Sequence, residues 1–175
     1  MTPTQIAILL SVIAAAIFFS GLAFVFSRVL FFKESLKKRL IAANVLFSET
    51  REVLLSLYRE FKNAGVNFSN DDEEMTTKVR WLKTDVSNEG DVERIALLLA
   101  AYEKRLSFLA ANHPWVRKGE EYESLKEALH DLNVNYRRIV AVYNSDVLGF
   151  NYWRTFLVYR PLFWVLGYKK ANPLA

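Results

Sequence analysis

The first hydrophobic segment carries no charge over residues 6–27, IAILLSVIAAAIFFSGLAFVFS. As an α-helix it spans about 33 Å, close to the roughly 30 Å hydrocarbon core of a bilayer. No Lys or Arg precedes it, and it continues into bulky Val29 and Leu30 rather than into a small-residue cleavage site. A cleaved signal peptide needs both features, so an uncleaved transmembrane helix, hereafter the anchor, is predicted, with residues 1–5 as a short extracytoplasmic N-terminus.

Helical spacing continues beyond the anchor, where apolar positions alternate three and four residues apart and predict one amphipathic helix over 33–63. Its apolar seam is Leu36, Leu40, Ala43, Phe47, Thr50, Leu54, Leu57 and Phe61.

Three further helices are predicted, separated by glycine and proline signals. Ser69 or Asn70 caps the second, whose seam is expected to run on through Leu82 and Val86. The third, about 91–111, stops before Pro114, and the fourth begins near Gly119 and runs about thirty residues. The other seam residues are Met75 and Val79 in the second helix, Ile95, Leu98, Leu99, Tyr102, Leu106 and Leu109 in the third, and Tyr122, Leu125, Leu129, Leu132, Tyr136, Ile139, Tyr143, Val147 and Phe150 in the fourth.

No strand-like alternation competes with these patterns, so the fold class is predicted to be all-α. Residues 6–27 form a single transmembrane helix that continues into an antiparallel up-and-down four-helix bundle over 28–150. A short aromatic, amphipathic tail follows over 151–170, and 171–175 is coil.

The second helix opens with four acids, Asp71, Asp72, Glu73 and Glu74. A metal or partner site is one interpretation. A solvated helix start is favoured, because acids in the first turn interact well with the helix dipole.

Eight of the 25 aromatic residues of the chain fall within residues 149–170. A second transmembrane pass is excluded, because the apolar part is only about fourteen residues long and contains Arg160 and Pro161. Two alternatives stay open: an interfacial helix resting on the bilayer, which is preferred, or a segment packed on the bundle.

Charge supports the preferred alternative. Residues 28–148 are neutral overall, with nineteen basic and nineteen acidic residues, so the net charge of +4 comes from the tail. Anionic lipid headgroups therefore suit the tail better than nucleic acid does. The cations that follow the anchor predict that the N-terminus is outside. The predicted membrane-interface residues are Arg28, Lys33, Lys37, Lys38, Trp153, Arg154, Phe156, Tyr159, Arg160, Phe163, Trp164, Tyr168, Lys169 and Lys170.

The inventory of chemical groups is thin: no cysteine, two histidines, no phosphate-binding glycine loop and no metalloprotease motif. No catalytic, metal or cofactor residue is predicted, no small-molecule substrate is expected, and a non-enzyme is the preferred interpretation. Asp146 is interpreted as structural, hydrogen-bonding together with Tyr143, Asn144 and Asn151 to hold the fourth helix.

A family resemblance rests on Tyr143, Asn144, Val147, Phe150 and Asn151, followed by Gly167, Tyr168 and Lys169. The pattern resembles the C-terminal signature of the LemA family of bacterial membrane-anchored helical proteins, and the match covers about residues 113–170. The stretch KKRLIAANVL, which lacks the family's proline, and the residues Asn133, Asn135 and Val140 depart from the family pattern, as in a divergent member. The resemblance implies a helical bundle behind one transmembrane segment and no established biochemical activity.

Two functions are compatible with these features. The first is an interaction or scaffold module at the bacterial cytoplasmic membrane, with the lipid membrane and unidentified proteins as partners. The second is a membrane-shaping or lipid-organising protein that uses the anchor and the tail together. Small residues four apart in the anchor, Ala16 with Ser20 and Ala23 with Ser27, permit a homo-oligomer.

Overall fold

The computed structural model describes residues 2–86, 88–156 and 159–174. These residues are predominantly helical and contain no strand, which confirms the all-α prediction for the described part of the chain. The helices are α1 (Pro3–Asn63), α2 (Asn70–Arg80), α3 (Glu89–Asn112), α4 (Glu120–Arg154) and α5 (Arg160–Val165), with a 3-10 turn at Val116–Lys118.

The chain divides into two compact units. The anchor unit consists of Met1–Lys37 and Asn144–Asn172, and the helical unit consists of Lys38–Tyr143 and Pro173–Ala175. Both α1 and α4 contribute residues to each unit. The predicted coil at 171–175 has no regular structure as far as residue 174, and Ala175 lies outside the described residues.

Helix α1 is continuous over 61 residues, so the predicted anchor and the first amphipathic helix form a single element. It is long and apolar enough to cross a membrane, and only 6% of its most apolar window is buried. Ile8, Leu10 and Phe19 are 60–65% exposed. A water-soluble core helix buries such side chains, whereas a membrane-spanning helix presents them to lipid.

The seams predicted from spacing form the core of the helical unit. Phe47, Leu54 and Phe61 of α1 are buried, as are Ile95, Tyr102 and Leu106 of α3 and Leu129 and Tyr143 of α4. Leu40, Thr50, Leu98 and Leu125 are half-buried on the same faces. The periodicity therefore identified the packing faces of these three helices correctly.

Helix α2 begins where predicted and ends earlier than predicted. Ser69 is its N-cap, and Asp72 returns the interaction by accepting from the Ser69 backbone N–H at 3.1 Å. The helix stops at Arg80, so the expected continuation through Leu82 and Val86 is wrong. Residues 82–86 have no regular structure, and side chains of α1 bind their backbone: Arg51 donates to the Leu82 carbonyl at 3.0 Å, and the Val86 N–H donates to Asn44 at 2.9 Å.

Helix α4 starts after Gly119 as expected and continues to Arg154, beyond the end of the bundle predicted at residue 150. The tail is consequently not one helix. Its first residues complete α4, α5 covers six residues, and Gly167 turns the chain with a φ of +73°, a conformation that glycine adopts without strain. Leu157 and Val158, which the predicted tail includes, lie outside the described residues.

Candidate functional site

The tail contacts the anchor itself. Tyr159 is buried, and its hydroxyl donates to the backbone carbonyl of Phe18 at 3.0 Å, with the two rings 5.3 Å apart. Gly21 makes this approach feasible, because a Cβ at that position would lie 2.5 Å from the Tyr159 hydroxyl oxygen. The sequence alternatives were the bilayer surface and the bundle, and neither anticipated a contact on the anchor.

A second cluster fixes the end of the tail. Phe163 is fully buried and its ring stacks on Phe26, with centroids 6.2 Å apart. Tyr168 packs edge-on against both rings, at 6.5 Å from Phe26 and 5.8 Å from Phe163. The Lys33 ammonium lies 5.0 Å from the centroid of the Tyr168 ring, a distance typical of a cation–π contact. Three predicted interface residues, Lys33, Phe163 and Tyr168, are thus brought together by packing on α1.

Helix α4 approaches α1 closely inside the anchor unit. A Cβ at Gly149 would lie 2.5 Å from two atoms of the Phe32 ring, so only glycine fits there without rearrangement. One turn earlier, Ser35 donates to Asp146 at 2.6 Å. Asp146 therefore has the structural role that the sequence assigned to it.

Asn151 and Arg154 bind the chain end. The Asn151 side chain donates to the Ala171 carbonyl at 2.9 Å and accepts from the Ala171 N–H at 3.1 Å. Arg154 donates to the carbonyl of Tyr168 at 3.3 Å. Of the residues that carry the family resemblance, Val147 and Phe150 are buried, Tyr143 is buried and donates to Glu89 at 2.9 Å, and Asn151 makes this reciprocal pair.

The remaining interface candidates differ in exposure. Trp164 is 79% exposed, and Arg160, Lys169 and Lys170 are also exposed, as are the neighbouring Val165 and Leu166. Trp153 is half-buried and packs edge-on against Phe24 at 5.6 Å, and Phe156 lies between Trp153 and Tyr159. Near the end of the anchor, Arg28 covers the Phe24 ring at 5.2 Å, and Lys37 and Lys38 are exposed. One side of the tail packs on α1, and the other side exposes aromatic and basic groups.

The positions of these contacts along α1 show how far each one lies from Arg28, at the basic end of the anchor. Phe24 precedes Arg28 by four residues and Phe18 precedes it by ten, about 6 Å and 15 Å along the helix axis. Trp153 and Tyr159 thus contact the basic-side half of the predicted transmembrane stretch. Sequence periodicity gave no signal for this pairing, because the partners are more than 120 positions apart.

The helical unit has an apolar cleft of about 380 Å³ between α1, α3 and α4. Phe47 and Leu99 are its buried residues, with the Phe47 and Tyr136 rings 5.3 Å apart, and Leu97 at the opening is 72% exposed. Glu93 and Glu103 line it as well, and Asn133 donates to both Glu103 oxygens at 3.2 Å. Burial raises the pKa of Tyr136, and the negative charge of Glu93 adds to the effect. The arrangement offers an apolar pocket with acidic groups beside it.

Asp72 was grouped with a solvated helix start, and that interpretation is wrong for this residue. It is 5% exposed and accepts two hydrogen bonds from Arg105, at 2.5 and 3.1 Å. Arg105 lowers the pKa of Asp72 to about 2, against the opposing effect of burial. Nearby, the Thr76 and Tyr102 hydroxyls are 2.9 Å apart, and burial raises the pKa of Tyr102 to about 12. Asp72 and Arg105 are therefore hydrogen-bonded to each other, as are Thr76 and Tyr102.

No metal centre is found within residues 2–86, 88–156 and 159–174, because they contain no group of three His, Asp or Glu side chains placed to hold an ion. His113 packs edge-on against Trp115, with ring centroids 4.8 Å apart. His130 is exposed and borders a smaller cleft of about 170 Å³ in the helical unit.

Comparison of the chain with protein-family models, curated proteins and solved structures finds no match.

Proposed function

We propose that the protein is a non-catalytic helical protein of the LemA type, anchored in the bacterial cytoplasmic membrane, that acts as an interaction or scaffold module there. In this proposal its N-terminus is outside, and residues 28–150 form an antiparallel up-and-down bundle in the cytoplasm. The observation that carries the proposal is the apolar cleft of the helical unit, about 380 Å³ in volume and lined by Glu93 and Glu103.

The chemistry of the cleft defines its partner. Its apolar lining includes Phe47 and Leu99, which favours a large apolar side chain, and the two carboxylates favour Lys or Arg next to it. The occupant is therefore a protein segment in which a large apolar residue is flanked by basic residues. Asn133 already engages Glu103, so Glu93 carries the more available charge.

Site-specific photocrosslinking in cells tests this partner. A photoreactive phenylalanine replaces Leu97 at the cleft, and the control replaces Phe108, which lies on the same helix, is 55% exposed and is not a lining residue. The expected result is a crosslink from position 97 alone to a peptide with a basic-flanked apolar residue, weakened by Glu93→Gln. An equal crosslink yield at positions 97 and 108, or a yield at position 97 that Glu93→Gln does not reduce, would contradict the proposal. A crosslink to a second copy of this chain would assign the cleft to self-association instead.

Membrane shaping is the second candidate function, and the two-sided tail supports it. Phe163 and Tyr159 hold the tail to α1, whereas Trp164, Val165 and Leu166 are 50–79% exposed and available to lipid. A segment that adds volume to one leaflet beside a transmembrane helix favours curvature of that leaflet.

Liposome reconstitution tests this second candidate. Trp164→Ser with Val165→Ser removes exposed apolar surface and is expected to abolish tubulation or size reduction seen by electron microscopy, with helix content unchanged by circular dichroism. Phe163→Ser is the comparison, because it removes a buried residue and is expected to release the tail from α1. Wild-type protein that leaves liposome shape unchanged would rule out membrane shaping.

A further inference from the structure

A cleft on the tail is lined by two arginines, Arg154 at the end of α4 and Arg160 at the start of α5, together with Pro161 and Trp164. Its volume is about 350 Å³, at the lower end of the range of small-ligand sites. We propose that this cleft binds the phosphate of one anionic phospholipid, with the Trp164 ring beside the headgroup.

Unbalanced charge is the first argument. No Asp or Glu occurs after Asp146, whereas Arg154, Arg160, Lys169 and Lys170 all do. Two guanidinium groups that share a cleft repel one another unless an anion lies between them. The described part of the chain supplies no carboxylate to this cleft, so an external anion completes it.

An unused donor is the second argument. One terminal nitrogen of Arg154 donates to the Tyr168 carbonyl, and this hydrogen bond holds the guanidinium at the cleft with its other terminal nitrogen available to an anion. A planar guanidinium matches phosphate through two parallel hydrogen bonds, so a phosphate group suits this arginine better than a monovalent halide.

Position identifies the source of the phosphate. Trp153, next to Arg154, packs on Phe24, about one helical turn from Arg28 at the basic end of the anchor. Arg160 follows Tyr159, which contacts Phe18 deeper along α1, and Arg160 lines the same cleft as Arg154. Trp164 is 79% exposed, as is common for tryptophan at the headgroup level. The ligand is therefore a lipid headgroup rather than free phosphate; this step rests on the proposed membrane anchoring and is independent of the apolar cleft.

Native mass spectrometry of the full chain in detergent, with phosphatidylglycerol or phosphatidylcholine added, tests the site. The wild type is expected to retain one phosphatidylglycerol about tenfold more tightly than phosphatidylcholine. Arg154→Gln with Arg160→Gln is expected to lose this preference. Lys169→Gln with Lys170→Gln removes the same charge from exposed positions outside the cleft and is expected to keep it.

Four results would overturn the proposal. Equal loss in the two double variants would mean diffuse electrostatic attraction, and equal retention of both lipids by the wild type would mean that there is no headgroup site. Displacement of the lipid by excess inorganic phosphate would make free phosphate the ligand. Because Arg154 also supports the Tyr168 carbonyl, Arg160→Gln alone is measured too; Arg160 is exposed, so an unchanged lipid preference in a variant with wild-type circular dichroism would also refute the site.

Discussion

At the residue scale, Asp72 makes two interactions: it completes the capping box of α2, and it accepts hydrogen bonds from Arg105 of α3. Its side chain is buried. A buried carboxylate is stable only when its charge is paired and hydrogen-bonded. The Asp72–Arg105 pair therefore links α2 to α3, and the stability that it contributes depends on the ionisation of Asp72.

That dependence gives a pH prediction. The pKa of Asp72 is about 2 in the folded protein, below the roughly 3.9 expected for an unfolded chain. Because the folded pKa is the lower one, the stabilisation is complete above about pH 4 and is lost as the pH falls towards about 2. We expect Asp72→Asn to lower the free energy of unfolding by about 1–2 kcal/mol near neutral pH, an amount discounted for the partial exposure of Arg105.

Denaturant unfolding of the full chain in detergent, followed by circular dichroism, measures the effect of Asp72→Asn across this pH range. Asp71→Asn is the matched control, because it removes an exposed acid from the same helical turn. A difference from wild type that stays constant down to about pH 2 would show that Asp72 does not act through its charge.

At the scale of elements, α2 shows where sequence patterns stop being sufficient. Spacing predicted the faces of α1, α3 and α4, because a long helix repeats its apolar face many times. It failed after Arg80, where α1 side chains satisfy the backbone of the next segment: Asn44 accepts from the Val86 N–H and Arg51 donates to the Leu82 carbonyl. Such tertiary hydrogen bonds leave no periodic trace in the sequence.

Replacing Asn44 tests that explanation. Asn44→Ala leaves the Val86 N–H without its acceptor, so we expect a loss of about 1 kcal/mol and faster hydrogen exchange at the Val86 amide. Asn63→Ala, which removes an exposed side chain from the same helix, is expected to change neither. Unchanged Val86 exchange in Asn44→Ala would show that the loop is held by other contacts.

The close approach of α4 to α1 at Gly149 and Phe32 also left no periodic pattern in the sequence. We expect Gly149→Ala to reduce stability by about 1–3 kcal/mol, because the new Cβ would overlap the Phe32 ring. Alanine is otherwise the better helix former, so the sign of the effect is diagnostic. Thermal unfolding in detergent measures it. In a Phe32→Ala background the penalty should vanish or reverse, and an equal loss in both backgrounds would place the cause elsewhere.

At the scale of the whole molecule, charged and exposed apolar residues are unevenly distributed along the chain. Residues 28–148 are electrically balanced, and the net charge of +4 belongs to the tail, which packs on α1 within the anchor unit. The sequence revealed the charge separation, because composition is local. The sequence could not reveal that the tail packs on the anchor, because this packing depends on individual pairs such as Phe26 with Phe163.

Orientation is the whole-molecule consequence of these charges. Arg28, Lys33, Lys37, Lys38 and Arg39 follow the anchor, with Glu34 as the single acid among them, and this basic flank is expected to stay in the cytoplasm. The chain has no cysteine, so single cysteines report topology without background. In right-side-out spheroplasts, an impermeant maleimide is expected to label Thr4→Cys at once, and to label Ser107→Cys and Asn172→Cys only after lysis. Early labelling of position 107 or 172 would reverse the proposed orientation, and with it the leaflet in which Arg154 and Arg160 meet lipid.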